Sequence, residues 1–241
     1  MAWRISLSSI MKLINAGIIG LGVGERHVAA LHAHPACRVV ALCDWNKEKL
    51  RSVGLSYPNV RLTESADNLL SADDIDIVSI ASWDDYHATQ IVQAIRSGKH
   101  VFAEKPLCMN IAELQAIREE LCAHPNVKLG CNLILRRCPR FVELRRRIRA
   151  GEMGRIFSLE ADYDYGRMHK IVDGWRGRID NYSVFLGGGV HMVDLILWLV
   201  GKRVTEVVAW GNRIATEGTS FRYEDYVVAM LRFEDGTLGK V

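Results

Sequence analysis

The sequence predicts an α/β protein: an N-terminal domain with a parallel, doubly wound sheet, followed by an α+β domain with a mostly antiparallel sheet. Three observations predict it. Short apolar runs alternate with amphipathic helical stretches as far as Cys131. The strand runs are almost continuously apolar, as strands covered by helices on both faces are. Beyond them the pattern turns to period-two alternation, the mark of a sheet with one wet face.

Taken in order, Leu13 to Ile19 reads as a strand, Arg26 to Ala33 as a helix and Arg38 to Cys43 as a second strand. Asn46 to Val53 reads as a helix, Val60 to Leu62 as a short strand and Ser65 to Ser71 as a short helix. Ile75 to Ala81 is a strand, Tyr86 to Ser97 a helix, His100 to Ala103 a strand, Ile111 to Ala123 a helix and Val127 to Cys131 a strand. Strands joined by crossover helices lie parallel. Ahead of them, Met1 to Ile10 reads as a loose extension and Met11 as the functional start.

In the second half, Phe141 to Ala150 reads as a helix closed by Gly151. From Ile156 to Tyr165 the residues alternate: Phe157, Leu159, Ala161, Tyr163 and Tyr165 share one face, and Ser158, Glu160, Asp162 and Asp164 the other. Val190 to Val200 is a very apolar helix preceded by a glycine-rich loop, Gly187 to Gly189. Val204 to Trp210 and Tyr226 to Phe233 read as strands, and Asp235-Gly236 as a hairpin turn into a returning strand, Thr237 to Val241. The domains are expected at residues 11–133 and 134–241.

Composition excludes several classes. The 241 residues are 49% hydrophobic and 24% charged, ordinary globular values that argue against disorder, collagen and coiled coil. A net charge of +3 is no nucleic-acid footprint. No apolar run approaches the roughly 18 residues of a membrane span. Cys37, Cys43, Cys108, Cys122, Cys131 and Cys138 contain no C-x-x-C pair, so neither disulfides nor zinc are expected and the cytoplasm is the expected compartment. His27, His87 and His169 show no ligand spacing, so no metal is expected.

Gly20-Leu21-Gly22-Val23-Gly24 lies between the first strand and the first helix. Glycines there let the backbone approach a pyrophosphate, and the helix N-terminus offers free N–H groups to it. Asp44 ends the second strand, where a carboxylate accepts from ribose hydroxyls and repels a 2′-phosphate. The cofactor expected is therefore NAD rather than NADP, although Lys47 and Lys49 stand nearby. The third glycine comes one residue early, and Glu25 takes its usual place. Lys105 ends the strand His100 to Ala103 and its exit, followed by Pro106. At that end of a parallel sheet a lysine can polarise a substrate hydroxyl; otherwise it is a surface residue paired with Glu104.

The run Ile18 to Leu31 with His27, the Ser82 to His87 loop, Gly98 to Leu107 with its Glu104-Lys105-Pro106 tripeptide, Gly130 to Asn132 and Gly187 to Asp194 together resemble the Gfo/Idh/MocA oxidoreductases. The resemblance implies a Rossmann domain, a second domain that oligomerises through its sheet into homo-oligomers, and NAD- or NADP-dependent chemistry on a sugar or cyclitol hydroxyl. It implies that Lys105 and His191 are catalytic. Cofactor contacts are expected from Gly20, Gly22, Val23, Gly24, Asp44, Ser82, Trp83, His87, Glu104 and Lys105. Substrate contacts are expected from Arg136, Tyr163, Arg167, Trp175, Arg176 and Asp194.

His191 falls in what reads as the first helical turn, with Asp194 on the same face to orient it; a satisfied core histidine is the alternative. Two positions depart from the family pattern. Gly187 stands where many members carry an aspartate, so either another carboxylate such as Asp180 or Asp194 serves or His191 acts without one, and Trp83 stands where the family loop often has proline. Arg136, Arg137, Arg140, Arg145, Arg146, Arg147 and Arg149 form either a solvated charged helix or a field for an anionic substrate such as a nucleotide-sugar or sugar acid. Set against the family's length, the chain is expected to be incomplete at its C-terminus. The alternatives to an oxidoreductase are a non-catalytic NAD- or sugar-sensing protein and an inactive fragment.

Overall fold

The computed structural model describes residues 13–241, so the expectations for Met1 to Ile10 and Met11 lie outside the described residues. The chain divides into two compact units between Cys131 and Asn132, two residues before the expected boundary.

The first unit contains β1 (Ile14–Ile19), α1 (Gly24–Ala33), β2 (Cys37–Cys43), α2 (Lys47–Leu55), β3 (Arg61–Thr63), α3 (Ala66–Leu70), β4 (Ile77–Ile80), α4 (His87–Arg96), β5 (His100–Ala103), α5 (Ile111–Ala123) and β6 (Leu129–Cys131). Its six strands lie in the order β3-β2-β1-β4-β5-β6, every pair parallel. That is the doubly wound order, and ligands of such sheets bind at the strand C-termini where the order reverses. Neighbouring residues of β1 serve opposite faces: Ile18 packs with Val28, Leu42 and Leu50, while Ile19 packs with Ile80, Ile91 and Leu69. α4 buries Ala88, Ile91, Ala94 and Ile95, a helical stripe against that second cluster. Asn46 caps α2 by accepting the Lys49 N–H at 3.0 Å. Asn110 caps α5 likewise, and Glu113 reaches back to the Met109 N–H at 2.7 Å.

The second unit contains α6 (Pro139–Arg149), β7 (Ser158–Glu160), α7 (His169–Val172), α8 (Val190–Val200), β8 (Val204–Asn212), β9 (Tyr226–Phe233) and β10 (Leu238–Lys240). Its sheet order is β7-β10-β9-β8, antiparallel except for the β7–β10 pair. α8 lays Met192 and Ile196 on Leu231, Phe233 and Val241 of the sheet.

Two expectations are corrected here. The alternating run Ile156 to Tyr165 forms a ladder only over Ser158–Glu160, and Phe157 is exposed. β7 is an edge strand whose partner, β10, is three residues long, so pairing ends once the Ala161 N–H has donated to the Lys240 carbonyl at 3.0 Å. The triple glycine is helical rather than a loop: Phe185–Gly189 makes a π-helical turn that runs straight into α8. The Tyr163 ring lies against Gly188 and the Phe185 ring against Gly189, where a side chain would meet them at 2.8 Å. Small residues are called for here by packing. His191 is therefore not at a free helix N-terminus.

Candidate functional site

The glycine turn leaves β1 with its three glycines doing three different things. Gly20 has φ +83°, and a β-carbon there would overlap the Ala81 carbonyl. Gly22 faces open space, so nothing stands between its backbone and a ligand. A β-carbon on Gly24 would lie 3.2 Å from Ala81 and Ile18, so this early glycine performs the close helix-to-sheet packing expected of the third fingerprint position. Val23 is the half-exposed residue just before α1 and gives that helix no side-chain cap.

Asp44 locks this turn. Its Oδ2 accepts the Leu21 N–H at 2.7 Å and its Oδ1 the Asn46 N–H at 2.8 Å. Each carboxylate oxygen keeps a second lone pair for a ribose hydroxyl. Lys49 pairs with Glu25 at 2.5 Å and Lys47 with Glu64 at 3.1 Å. Both lysines are thus partnered, and the ambiguity they introduced about a 2′-phosphate is reduced. The turn accommodates a dinucleotide: open backbone at Gly22, a helix N-terminus after it, and an acceptor carboxylate beside it.

The loops after β4 and β5 carry the other expected cofactor residues. The Ser82 hydroxyl donates to Gln90 at 2.7 Å, and the Trp83 indole meets Trp45 edge-on, centroids 4.4 Å apart. Trp45, next to Asp44, is itself exposed. His87 is fully buried, with Nδ1 2.7 Å from the Pro106 carbonyl and Nε2 3.1 Å from the Ser82 carbonyl. The expectation that it touches a cofactor is corrected accordingly: it ties the two loops together from beneath. Glu104 also acts inward. One oxygen lies 3.1 Å from His27 Nε2, whose Nδ1 lies 2.8 Å from Ser79 Oγ, and the other accepts the Lys105 N–H at 3.4 Å. Lys105 follows directly, at the C-terminal exit of β5, with a cis bond to Pro106.

In the second unit, His191 is a buried residue of α8, its ring 6.2 Å from that of Tyr163. Tyr163 stacks on Tyr165 at 5.5 Å. The Arg167 guanidinium sits 5.3 Å from the Tyr165 ring, and Arg176 lies 4.2 Å over Trp175. Burial raises the Tyr163 phenol above its ordinary range, whereas the hydrogen bond from Lys170 lowers that of Tyr165. The structure does not give Asp194 to the histidine: Arg136 holds it through Nε at 2.9 Å and Nη2 at 2.5 Å. Asp180 is exposed and serves Arg222 and Tyr223, both at 3.3 Å. Both aspartates are therefore engaged by other side chains. A side chain at Gly187 would overlap the hydroxyl of buried Tyr182 instead. Among the described residues no cluster of three or more His, Cys, Asp or Glu is placed to hold a metal, and no helix is long and apolar enough to cross a membrane.

A doubly wound sheet with an open glycine turn and an acceptor carboxylate defines the first unit as a dinucleotide-binding domain. Residues 14–131 match the family model described as oxidoreductase family, NAD-binding Rossmann fold, and residues 141–241 match the GFO/IDH/MocA C-terminal domain. The chain belongs to the Gfo/Idh/MocA family. It is 27% identical over 240 residues to the uncharacterized oxidoreductase YrbE of Bacillus subtilis (strain 168), covering 95% of this chain and 67% of that protein. It is 27% identical over 200 residues to inositol 2-dehydrogenase 2 of Saccharopolyspora erythraea, covering 81% of this chain and 56% of that protein. The crystal structure of the WlbA dehydrogenase from Bordetella pertussis, in complex with NADH and UDP-GlcNAcA, superposes with a TM-score of 0.84 at 26% identity, over 95% of this chain and 70% of that one. The chain spans 55% to 67% of the length of the curated relatives it matches.

Proposed function

We propose that this chain carries the cofactor- and substrate-handling residues of an NAD-dependent oxidoreductase. Its reaction moves a hydride between nicotinamide and a hydroxyl or ketone carbon of a sugar, cyclitol or nucleotide-sugar. The observation that carries the reading is the turn Gly20 to Gly24 with Asp44 fastened beside it at 2.7 Å. Bound NAD would supply the hydride acceptor. Gly22 admits the pyrophosphate, Asp44 receives ribose hydroxyls, and the ion-paired Lys47 and Lys49 leave little to hold a 2′-phosphate. Lys105 donates to the substrate oxygen and stabilises alkoxide charge on it; His191 takes the hydroxyl proton, or returns it in reduction. His87 and Glu104 fix the loop that presents Lys105. The inositol dehydrogenases among the relatives, and the UDP-GlcNAcA in complex with the WlbA dehydrogenase, support a polyhydroxylated ring as the substrate.

The six cysteines are all free thiols, which fits a reducing compartment such as the cytoplasm. The outer face of the second sheet presents Val208, Trp210, Tyr226, Met230 and Leu238, an apolar stripe suited to a second copy of the chain. A second reading, a non-catalytic NAD or sugar sensor, draws on the fact that Asp180 and Asp194 both serve arginines. Nicotinamide absorbance followed across a panel of polyols and sugars separates the two. Reduction of NAD by any member supports the oxidoreductase; NAD binding with no reduction throughout supports the sensor.

A further inference from the structure

We propose that the second unit binds an oxyanion of its substrate, a carboxylate or phosphate, through Arg167, Lys170 and Arg176, so that the preferred substrates are acidic sugar derivatives rather than neutral polyols. The proposal rests on the reading of His191 as the proton-exchanging residue and names the substrate class of that same site. The argument starts at His191 and moves outward. Its ring is 6.2 Å from Tyr163, which stacks on Tyr165 at 5.5 Å, so a pair of stacked tyrosines leads outward from the histidine.

The far end of that pair is cationic. Lys170 Nζ donates to the Tyr165 hydroxyl at 2.9 Å, and the Arg167 guanidinium rests 5.3 Å from the same ring. Arg176 lies over Trp175 at 4.2 Å, and its charge, like that of Arg167, is felt at the Tyr163 phenol. A guanidinium lying on an aromatic face is oriented without spending its in-plane N–H donors, which remain available to a forked oxyanion. Among the described residues, none of these three cations forms an ion pair with a carboxylate, although Asp164 and Asp173 lie in the same stretch. Arg136, Arg146, Arg147, Arg222 and Arg232 of the same unit all do. Asp162, on the alternate side of the segment, is held by Lys240 at 3.0 Å. The cluster therefore combines three cations that hold no carboxylate with a pair of stacked tyrosines leading to an imidazole.

The test is direct binding to the full chain by titration calorimetry, with NADH present, using glucose, glucuronate and glucose 6-phosphate as probes. Glucuronate, glucose 6-phosphate or both should bind about tenfold or more tightly than glucose, as one or two charge-assisted hydrogen bonds supply. Whichever anion binds better identifies carboxylate or phosphate as the recognised group. Arg167→Gln and Arg176→Gln should each remove most of that preference, and Arg167→Lys should restore part of it. Equal binding of all three probes, or an anion preference that survives both glutamine variants, would overturn the proposal. Turnover is read separately: reduction of NAD by neutral polyols without any anion preference leaves the oxidoreductase reading standing and removes this one. Anion binding without turnover on any substrate does the reverse.

Discussion

Asp44→Asn is the substitution that loads most directly on the cofactor turn. The wild-type carboxylate accepts two backbone N–H groups, Leu21 at 2.7 Å and Asn46 at 2.8 Å, and is nearly buried. An asparagine offers one acceptor oxygen and one NH2 donor, so one of those N–H groups must face a donor. Losing a hydrogen bond to a charged acceptor costs about 1.5–3 kcal/mol. Since Leu21 has no solvent exposure, water cannot replace the lost partner on its side without moving the turn. The free protein should lose about that much stability, with Tm falling by roughly 2–4 °C per kcal/mol for a chain of this size. NAD binding should weaken by about ten- to a hundredfold, because the turn relaxes and ribose loses its charged acceptor. Preference for NAD over NADP should narrow, since the charge that repels a 2′-phosphate is gone. Thermal unfolding and NADH fluorescence titration read these out. Unchanged Tm together with unchanged NAD affinity would refute the reasoning that Asp44 organises the turn.

Other outcomes follow from separate parts of the molecule. Lys105→Ala should reduce turnover by roughly a hundred- to ten-thousand-fold while NAD affinity measured by fluorescence stays close to wild type; retained turnover on a competent substrate would remove Lys105 from the chemistry. Gly187→Ala should destabilise the second unit by about 1–3 kcal/mol, because its β-carbon meets the Tyr182 hydroxyl, and an unchanged denaturation midpoint would show that Tyr182 yields freely. Burial, followed by the charges of Asp44 and Asp67, pushes the Cys43 thiol up to about 12. A raised value keeps the thiol protonated and unreactive until the pH approaches it, so alkylation at about pH 8 should modify exposed Cys122 and spare Cys43, as peptide mass spectrometry would reveal.

The first unit was largely legible in the sequence because its determinants are local. The strands are apolar runs, and the glycine turn and Asp44 sit at strand ends fixed by those runs. What the sequence reading missed depends on contacts between distant residues. His27, Ser79 and Glu104 come from three separate elements, and nothing local says that Glu104 turns toward a histidine rather than toward a substrate. His87 reads as a site residue by its loop, but only the folded chain places the Ser82 and Pro106 carbonyls on either side of its ring. In the second unit, alternation over Ile156 to Tyr165 overstated the strand, because pairing length is set by the partner, β10. The triple glycine suggested a loop since glycine is a poor helix former; packing of Tyr163 and Phe185 against it overrides that propensity. The replacement of a side chain at 187 by Tyr182, five residues earlier, is likewise a matter of packing that spacing does not reveal.

The central claim is that the Gly20–Gly24 turn with Asp44 serves hydride transfer with NAD. The measurement that tests it most directly is nicotinamide absorbance of the purified protein with NAD and a panel spanning inositols, aldoses, sugar acids and sugar phosphates, run alongside NADH fluorescence titration. The account predicts saturable NADH binding and NAD reduction by at least one member of the panel, lost in Lys105→Ala. Absence of NADH binding, or binding with no reduction by any member, would contradict it.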